Sequence, residues 1–263
     1  MTSTAWHNRD VGPDHIIVRL RALRDPRMRV LMLVGALGEG EPDSWVEALA
    51  AIITRAHVVD DADALETLET VTHACRDPSL PYATRQRLYA AAVSRGLPAI
   101  ARLFIVVSPP STLPPQLSKQ LGPERPLRPT DRPLTLGERK SLARTHRRDK
   151  LTLLVRDPHP AVVAILLDNP HVTEQDIVRM AAARPGVPES LSKIACHARW
   201  SVRQPVKRAL VLNPATPLAD AIRIATTLRA QDLSELANDA SLPELLRRHA
   251  AEVLANLQSR PRA

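Results

Sequence analysis

The basic residues that surround Trp200 are the residues in this sequence best suited to bind another molecule. Arg199, Arg203 and Lys207 recur at intervals of four, and Arg208 follows Lys207 directly. Residues four apart lie on one face of a helix, so a helix through these positions would carry a basic stripe. Guanidinium groups bind carboxylates and phosphates through paired hydrogen bonds. The pattern predicts a surface for an anionic partner, although a solvated helix face would have the same composition.

A second group of cations precedes this stripe. Between Lys119 and Arg156 there are eleven Lys and Arg residues and four acidic residues. Within this segment, Arg139, Arg144 and Arg148 could form a row parallel to the stripe, because stacked repeats place equivalent helix faces side by side. Together the two rows predict a concave basic surface.

Trp200 lies inside the stripe and has two possible roles. An exposed indole would anchor a protein partner or stack on a nucleotide base. A buried indole would fill the seam between two repeats, which is the more usual place for tryptophan. The candidate partner-binding residues are therefore Arg139, Arg144, Arg148, Arg199, Trp200, Arg203, Lys207 and Arg208.

Other reactive side chains do not form a recognisable site. His73 with Cys75, and Cys196 with His197, are possible soft metal ligands, but neither pair has the spacing of a zinc site. The sequence contains no glycine-rich phosphate loop, no nucleophile elbow and no His-Glu-x-x-His motif. We therefore predict no catalytic residue, no metal site and no cofactor.

The composition indicates a basic protein of a reducing compartment. The formal net charge is +8, from 36 Lys and Arg against 28 Asp and Glu. Such a charge suits nucleic acid, anionic lipid or an acidic protein surface. The two cysteines, far apart in sequence, favour a reducing compartment. No secretory signal is visible and the apolar runs are too short to cross a bilayer, so we expect a cytoplasmic protein without membrane insertion.

Three imperfect copies of one pattern occupy the chain from about residue 151 to residue 254. Leu151, Leu191 and Leu233 recur at spacings of 40 and 42 residues. The Asn-Pro pairs that begin at Asn169 and Asn213 are 44 residues apart. A period in the low forties with two helices per unit favours stacked helical pairs, in which each unit buries its apolar face against the next.

Local signals indicate where these helices begin and end. Thr135 with Glu138, and Ser241 with Glu244, have the spacing of a capping box, and Thr173 is placed to cap another helix. The Asn-Pro pairs should end the helices that precede them.

The segment Asp157-Pro-His-Pro-x-Val-Val-x-x-Leu-Leu-x-Asn-Pro170 resembles the HEAT-like and leucine-rich-repeat-variant α-solenoids of bacteria. The resemblance covers about residues 134 to 256. It implies an all-helical, curved scaffold that binds other molecules, and it carries over no catalytic residue.

The predicted fold is all-α, with stacked short helical pairs forming a HEAT-like α-solenoid in two halves. Residues 1–107 should form a helical N-terminal region, and residues 134–257 the C-terminal repeat domain. The intervening residues 108–133 include eight prolines, which favours a semi-rigid linker.

The function that these features favour is a non-catalytic scaffold that binds an acidic protein through the basic surface. The alternative is DNA binding by the same surface, because HEAT-like repeats also occur in certain alkylbase DNA glycosylases and the charge is suitable. An enzyme would require a pocket with converging titratable groups.

Overall fold

The structure is a computed structural model that describes residues 11–58, 61–105, 121–122 and 133–258. Within these residues the chain forms fifteen helices and no strand, which confirms the all-α prediction. In chain order the helices are α1 (Pro13–Arg21), α2 (Pro26–Glu39), α3 (Pro42–Val58), α4 (Ala62–Arg76), α5 (Tyr82–Ser94), α6 (Pro98–Leu103), α7 (Leu136–Ala143), α8 (Arg148–Leu154), α9 (Pro160–Asp168), α10 (Glu174–Ala182), α11 (Pro188–Cys196), α12 (Gln204–Val211), α13 (Leu218–Thr226), α14 (Ala230–Asn238) and α15 (Glu244–Gln258).

The helix starts follow local chemistry in most places. Thr135 and Thr173 cap α7 and α10, each in a capping box with the acidic residue three positions later. The box predicted at Ser241 is wrong. Pro243 stands directly before α15, and the Ser241 hydroxyl instead donates to Asp239 Oδ1 at 2.7 Å.

The first compact unit comprises residues 1–106 and 222–263. Its core centres on α3, whose Trp45, Leu49 and Ile52 are buried and which contacts α4, α5 and α15. Arg102 of α6 pairs with Glu252 of α15 through two hydrogen bonds, one of 2.9 Å from Nη2 to Oε1. The predicted boundaries differ from this division, which groups α14 and α15 with the N-terminal helices; α15 contacts α3, α6 and α14.

The second unit comprises residues 107–221, and the division falls inside α13. Alternate helices are neighbours in this unit: α9 contacts both α7 and α11, and α10 contacts α12. Between the turn at Asn169 and the turn at Asn213 lie the three helices α10, α11 and α12, where two were predicted.

Most of the predicted proline-rich linker lies outside the described residues. Of residues 108–133 the structure describes Leu121, Gly122 and Pro133. None of the described helices is long and apolar enough to cross a membrane.

Candidate interaction surface

The first Asn-Pro turn of the second unit fastens two neighbouring helices. Asn169 ends α9 and is buried. Its Nδ2 donates to the carbonyls of Ala143 and Thr145 at the end of α7, at 2.8 and 2.9 Å. Its Oδ1 accepts from the backbone N–H of His171 at 2.9 Å. The amide thus uses both of its donors and its acceptor.

Asn213 makes the same contacts between α12 and α10. It is buried, and its Nδ2 donates to the carbonyls of Ala181 and Ala183 at 2.7 and 3.0 Å. Its Oδ1 accepts from the backbone N–H of Ala215 at 3.1 Å. Both turns therefore bind the C-terminal end of one helix to the C-terminal end of another, which sets those helices parallel.

A second repeated contact connects the first turn of a helix to an earlier helix. Arg148 at the start of α8 donates to both carboxylate oxygens of Asp176, including Nη2 to Oδ1 at 2.8 Å. The Asp176 side chain is inaccessible to solvent. Forty-four residues later in the sequence, Ser192 donates to Asp220 in the equivalent position.

The Arg148–Asp176 pair shows how the unit uses its acids. Burial raises the pKa of Asp176, but the hydrogen bonds from Arg148 and Thr173 outweigh that effect and bring the pKa to about 2. The carboxylate therefore stays charged at neutral pH, and Arg148 forms an ion pair with it. The prediction of Arg148 as a partner-binding residue is not supported by this geometry.

Arg139 was predicted at the surface and lies inside the unit. Its side chain is 3% exposed, and Nη1 donates to both oxygens of Asp157 at 2.6 and 2.8 Å. Its Nη2 donates to the carbonyl of Leu121 at 2.7 Å. Because the buried carboxylate of Asp157 needs a cationic partner, Arg139 is drawn inward and the prediction is wrong.

Trp200 fills a seam between helices. It is 2% exposed, and its indole N–H donates to the carbonyl of Leu167 near the end of α9 at 2.8 Å. The guanidinium carbon of Arg199 lies 4.2 Å from the centroid of the Trp200 ring, a cation–π contact. Of the two roles predicted for Trp200, the structure favours the packing role over the partner anchor.

The predicted stripe does not form on one helix. α12 begins at Gln204, Arg203 is its N-cap, and Arg199 lies in the turn before it. Backbone hydrogen bonds from Trp200 to His197 and from Arg203 to Trp200 form this turn, so the helix cannot extend back to Arg199. Lys207 is 2% exposed, because it lies with Val206, Leu210 and Val211 on the face of α12 that packs inward.

Five of the eight candidates are exposed, namely Arg144, Arg148, Arg199, Arg203 and Arg208, and of these Arg148 is paired with Asp176. Arg144 follows α7 and donates to the carbonyl of Lys140 at 3.1 Å. Arg203 Nε lies 3.8 Å from Glu174 Oε2, which brings the first turns of α12 and α10 together.

The structure adds Arg179 of α10 to these exposed side chains. The Arg203–Glu174 contact and the Asn213 hydrogen bonds fix the register of α10 and α12 at both ends. In that register Arg179 and Arg208 stand at about the same height on neighbouring parallel helices. We call the exposed side chains of Arg179, Arg199, Arg203 and Arg208 the arginine surface. Arg179 could have been predicted, since the helical period that buries Ile177 and Met180 turns it outward.

Most of the exposed charged side chains in the described part of the second unit are basic. The acids Asp157, Asp176 and Asp220 are buried, which leaves five acidic side chains at least partly exposed between residues 133 and 221. Twelve cations in the same range are at least partly exposed: Lys140, Arg144, Arg147, Arg148, Lys150, Arg156, Arg179, Arg184, Lys193, Arg199, Arg203 and Arg208. Because the cations Arg139 and Lys207 are buried as well, this basic excess comes mainly from the composition of the segment.

The first unit contains a buried histidine that the sequence did not single out. His249 of α15 is 0% exposed, and its Nε2 lies 2.8 Å from the hydroxyl of Thr226. Because that hydroxyl donates to the carbonyl of Ile222, it accepts from Nε2–H, and Nδ1 of His249 is left as an acceptor. Nδ1 has no hydrogen-bond partner among the described residues. Burial, aided by the charge of Arg102, lowers the pKa of His249 to about 3.

The described residues contain no group of three or more His, Cys, Asp or Glu side chains placed to hold a metal ion. No family model, curated protein or solved structure matches the chain. The relation to HEAT-like and leucine-rich-repeat-variant solenoids therefore stays a resemblance carried by the repeat residues.

Proposed function

We propose that this chain is a non-catalytic repeat protein that binds an acidic protein partner through the arginine surface. The excess of exposed cations in residues 133–221 carries the proposal: twelve Lys and Arg side chains are at least partly exposed there, against five acidic side chains. A surface with such an excess of one sign attracts partners of the opposite sign and accelerates their association. We propose that the protein is located in the cytoplasm, because its two cysteines lie far apart in the sequence, which favours a reducing compartment.

The rigidity of the scaffold supports binding. The Asn169 and Asn213 hydrogen bonds fix the helix ends, so the backbone that carries Arg179, Arg203 and Arg208 needs little ordering on association. Preorganisation of this kind lowers the entropic cost of binding. Each guanidinium can then make paired hydrogen bonds to a carboxylate.

The aromatic content of the second unit favours protein over single-stranded nucleic acid. Trp200 is the one Trp, Tyr or Phe between residues 133 and 221, and it is buried. Proteins that hold single strands rely on exposed aromatic rings that stack on bases. Duplex DNA is the alternative partner, because proteins bind it mainly through its phosphates. The experiment must therefore distinguish duplex DNA from an acidic protein.

The test compares two double charge reversals in the full-length chain. Arg203→Glu with Arg208→Glu alters the arginine surface. Arg24→Glu with Arg27→Glu makes the same change of charge at exposed arginines of the first unit and serves as the control. Each protein is used to capture partners from lysate with and without nuclease, and the affinity of any captured protein is measured at several salt concentrations.

We expect an acidic protein that survives nuclease treatment, binds the wild type and the control, and binds the Arg203→Glu, Arg208→Glu variant at least about tenfold more weakly. Its affinity should fall as salt rises. Recovery of duplex nucleic acid alone, or a captured protein that binds both variants equally, would reject the proposal.

A further inference from the structure

His146 and His171 form an exposed pair at the first Asn-Pro turn of the second unit. The centres of their rings are 6.3 Å apart, and the rings meet edge to face with an angle of 61° between their planes. Both side chains are exposed to solvent. They lie twenty-five residues apart in the sequence, so the spacing motifs of metal sites do not indicate them. We call His146 and His171 the histidine pair.

One buried side chain, that of Asn169, holds the backbone beside both histidines. Its Nδ2 donates to the carbonyl of Thr145, the residue directly before His146, at 2.9 Å. Its Oδ1 accepts from the backbone N–H of His171 at 2.9 Å. The distance between the two backbone segments is therefore fixed by the fold, and a ligand of both rings has little ordering to impose.

The fold does not require histidine at either position. Asn213 makes the same hydrogen bonds at the second Asn-Pro turn, where the positions equivalent to His146 and His171 hold Arg184 and Ala215. The turn therefore forms with other side chains. Neither imidazole of the histidine pair makes a hydrogen bond to another described residue, so their nitrogens are available to a ligand.

The geometry of the histidine pair suits a transition-metal ion. Imidazole is the commonest metal ligand in proteins and is well matched to Zn²⁺, Cu²⁺ and Ni²⁺. With metal–nitrogen bonds of about 2.0–2.1 Å, two imidazoles on one ion have ring centres about 5–6.5 Å apart. The separation of 6.3 Å lies within that range, so a small rotation of the exposed rings brings a nitrogen of each onto a common ion.

The charges beside the pair set how strongly it can hold a cation. The two arginines that follow His146 are paired with the carboxylates of Asp149 and Asp176. Arg144 donates to a backbone carbonyl, which leaves its positive charge in place. That charge weakens the attraction of a second cation, but it occupies neither imidazole.

We propose that the histidine pair binds one divalent transition-metal ion of the Zn²⁺, Ni²⁺ and Cu²⁺ class, with one nitrogen from each ring. Two protein ligands leave half of a tetrahedral ion's positions to water or to a group of another molecule, so the ion is exchangeable, unlike the ion of a closed structural site. Mg²⁺ and Ca²⁺ require oxygen ligands and do not fit. The proposal replaces the sequence-based expectation of no metal site.

This site lies outside the arginine surface and goes beyond the proposed function. The Arg203→Glu, Arg208→Glu variant keeps both histidines, so it should bind the metal ion as the wild type does. Loss of partner binding and loss of metal binding can therefore be told apart.

The experiment titrates the full-length chain, free of any affinity tag, with Zn²⁺, Ni²⁺ and Mg²⁺ in a calorimeter at neutral pH. The test variants are His146→Ala and His171→Ala. Both replaced side chains are exposed, and alanine already stands at the equivalent of His171 in the second turn, so both variants should fold, which circular dichroism checks. The control variant, Cys196→Ser with His197→Ala, removes the other neighbouring pair of soft ligands in this unit.

We expect the wild type and the control to bind one Zn²⁺ or Ni²⁺ ion per chain and to bind no Mg²⁺. Each single histidine variant should bind the ion at least about tenfold more weakly, because it retains one of the two ligands. Zn²⁺ should also raise the midpoint of thermal unfolding of the wild type and leave that of the histidine variants unchanged.

Four results would overturn the proposal. The first is no binding of Zn²⁺ or Ni²⁺ by the wild type. The second is equal affinity of the wild type and the histidine variants, which would mean adventitious binding elsewhere on the chain. The third is a loss of binding in the control variant, which would place the ion at Cys196 and His197. The fourth is binding of Mg²⁺ as tight as that of Zn²⁺, which would indicate oxygen ligands.

Discussion

Asn169 and Asn213 make the same three hydrogen bonds 44 residues apart in the sequence. Each side chain joins the C-terminal ends of two parallel helices, and each Oδ1 closes the turn that begins the next segment. The free carbonyls at a helix end need donors, and here a side chain from a neighbouring helix supplies both. The Asn-Pro pair is therefore a structural joint of the repeat, with the proline ending one helix and the asparagine securing another.

The first prediction concerns this joint. Asn213→Ala leaves the carbonyls of Ala181 and Ala183 without their donors, so we expect the free energy of unfolding to fall by about 2–4 kcal/mol. Asn213→Asp should destabilise more, because a carboxylate would face two carbonyl oxygens. Urea unfolding followed by circular dichroism measures both.

Asn238 offers a matched control. It is exposed, and its Nδ2 donates to the carbonyl of Ser234 within the same helix at 2.8 Å. Asn238→Ala should change the stability by about 0.5 kcal/mol or less. Equal effects of the alanine substitution at Asn213 and at Asn238 would show that the joint contributes no special stability.

The second prediction concerns the buried carboxylate of Asp176. Its pKa is about 2 in the folded chain and near 3.8 in the unfolded chain. As the pH falls below 3.8 the unfolded state binds a proton first, so the stabilisation is present above that pH and is lost as the pH approaches 2. We expect Asp176→Asn to cost about 2 kcal/mol at pH 7 and progressively less between pH 4 and pH 2.

Arg148→Met tests the same pair from the other side. It removes the principal donor and leaves the Asp176 carboxylate buried without its cation, so it should destabilise at least as much as Asp176→Asn at pH 7. Unfolding in urea at pH 7, 4 and 3 gives both comparisons. An Arg148→Met variant as stable as the wild type at neutral pH would contradict the importance of the pair.

Local signals account for the parts of the fold that the sequence could predict. The capping boxes of Thr135 and Thr173 and the helix ends at Asn169 and Asn213 depend on residues within a few positions of one another. Their chemistry can therefore be deduced without knowledge of the fold. The helical period likewise indicates which faces are apolar.

The parts that failed depend on partners distant in sequence. Arg139 lies inside because Asp157, eighteen residues away, is buried beside it. Trp200 is oriented by a carbonyl thirty-three residues earlier, that of Leu167. No spacing rule identifies such pairs, so a residue expected from composition to face solvent was drawn into the core. Lys207 shows the same difficulty, since it lies in α12 on the face that packs inward.

A signal that relates the N-terminal helices to α14 and α15 was present but short. Asp77-Pro-Ser-Leu-Pro81 and Asp239-Ala-Ser-Leu-Pro243 differ at one position. In both, the carboxylate accepts from the backbone N–H of the serine at 2.9 Å, and the following leucine is buried. Five residues are too few to outweigh the longer match of residues 233–246 to the preceding repeats, so the predicted boundary placed the last helices with those repeats.

The third prediction concerns His249. Its pKa is about 3 in the folded chain and near 6.5 in the unfolded chain, because burial disfavours the charged ring. Between these values the unfolded state binds a proton that the folded state does not. Stability should therefore be full above pH 6.5 and fall as the pH decreases, with a slope from this group approaching about 1.4 kcal/mol per pH unit.

His249→Gln separates this titration from that of the carboxylates. Glutamine has no titratable proton and can still donate to the Thr226 hydroxyl. The variant should show a shallower fall in the free energy of unfolding between pH 6 and pH 4 than the wild type. Parallel curves for the two proteins would mean that the folded state accommodates a charged ring at this position.

The fourth prediction separates the two roles of Trp200. Trp200→Phe keeps an aromatic ring in the seam but removes the indole N–H that donates to Leu167 O, so the buried carbonyl loses its donor. We expect a loss of about 1–3 kcal/mol in the free energy of unfolding. Because the ring is inaccessible, the affinity for a partner captured through the arginine surface should stay within about twofold of the wild-type value. The reverse result, unchanged stability with a large loss of affinity, would place the indole in the interface and make Trp200 an anchor for the partner.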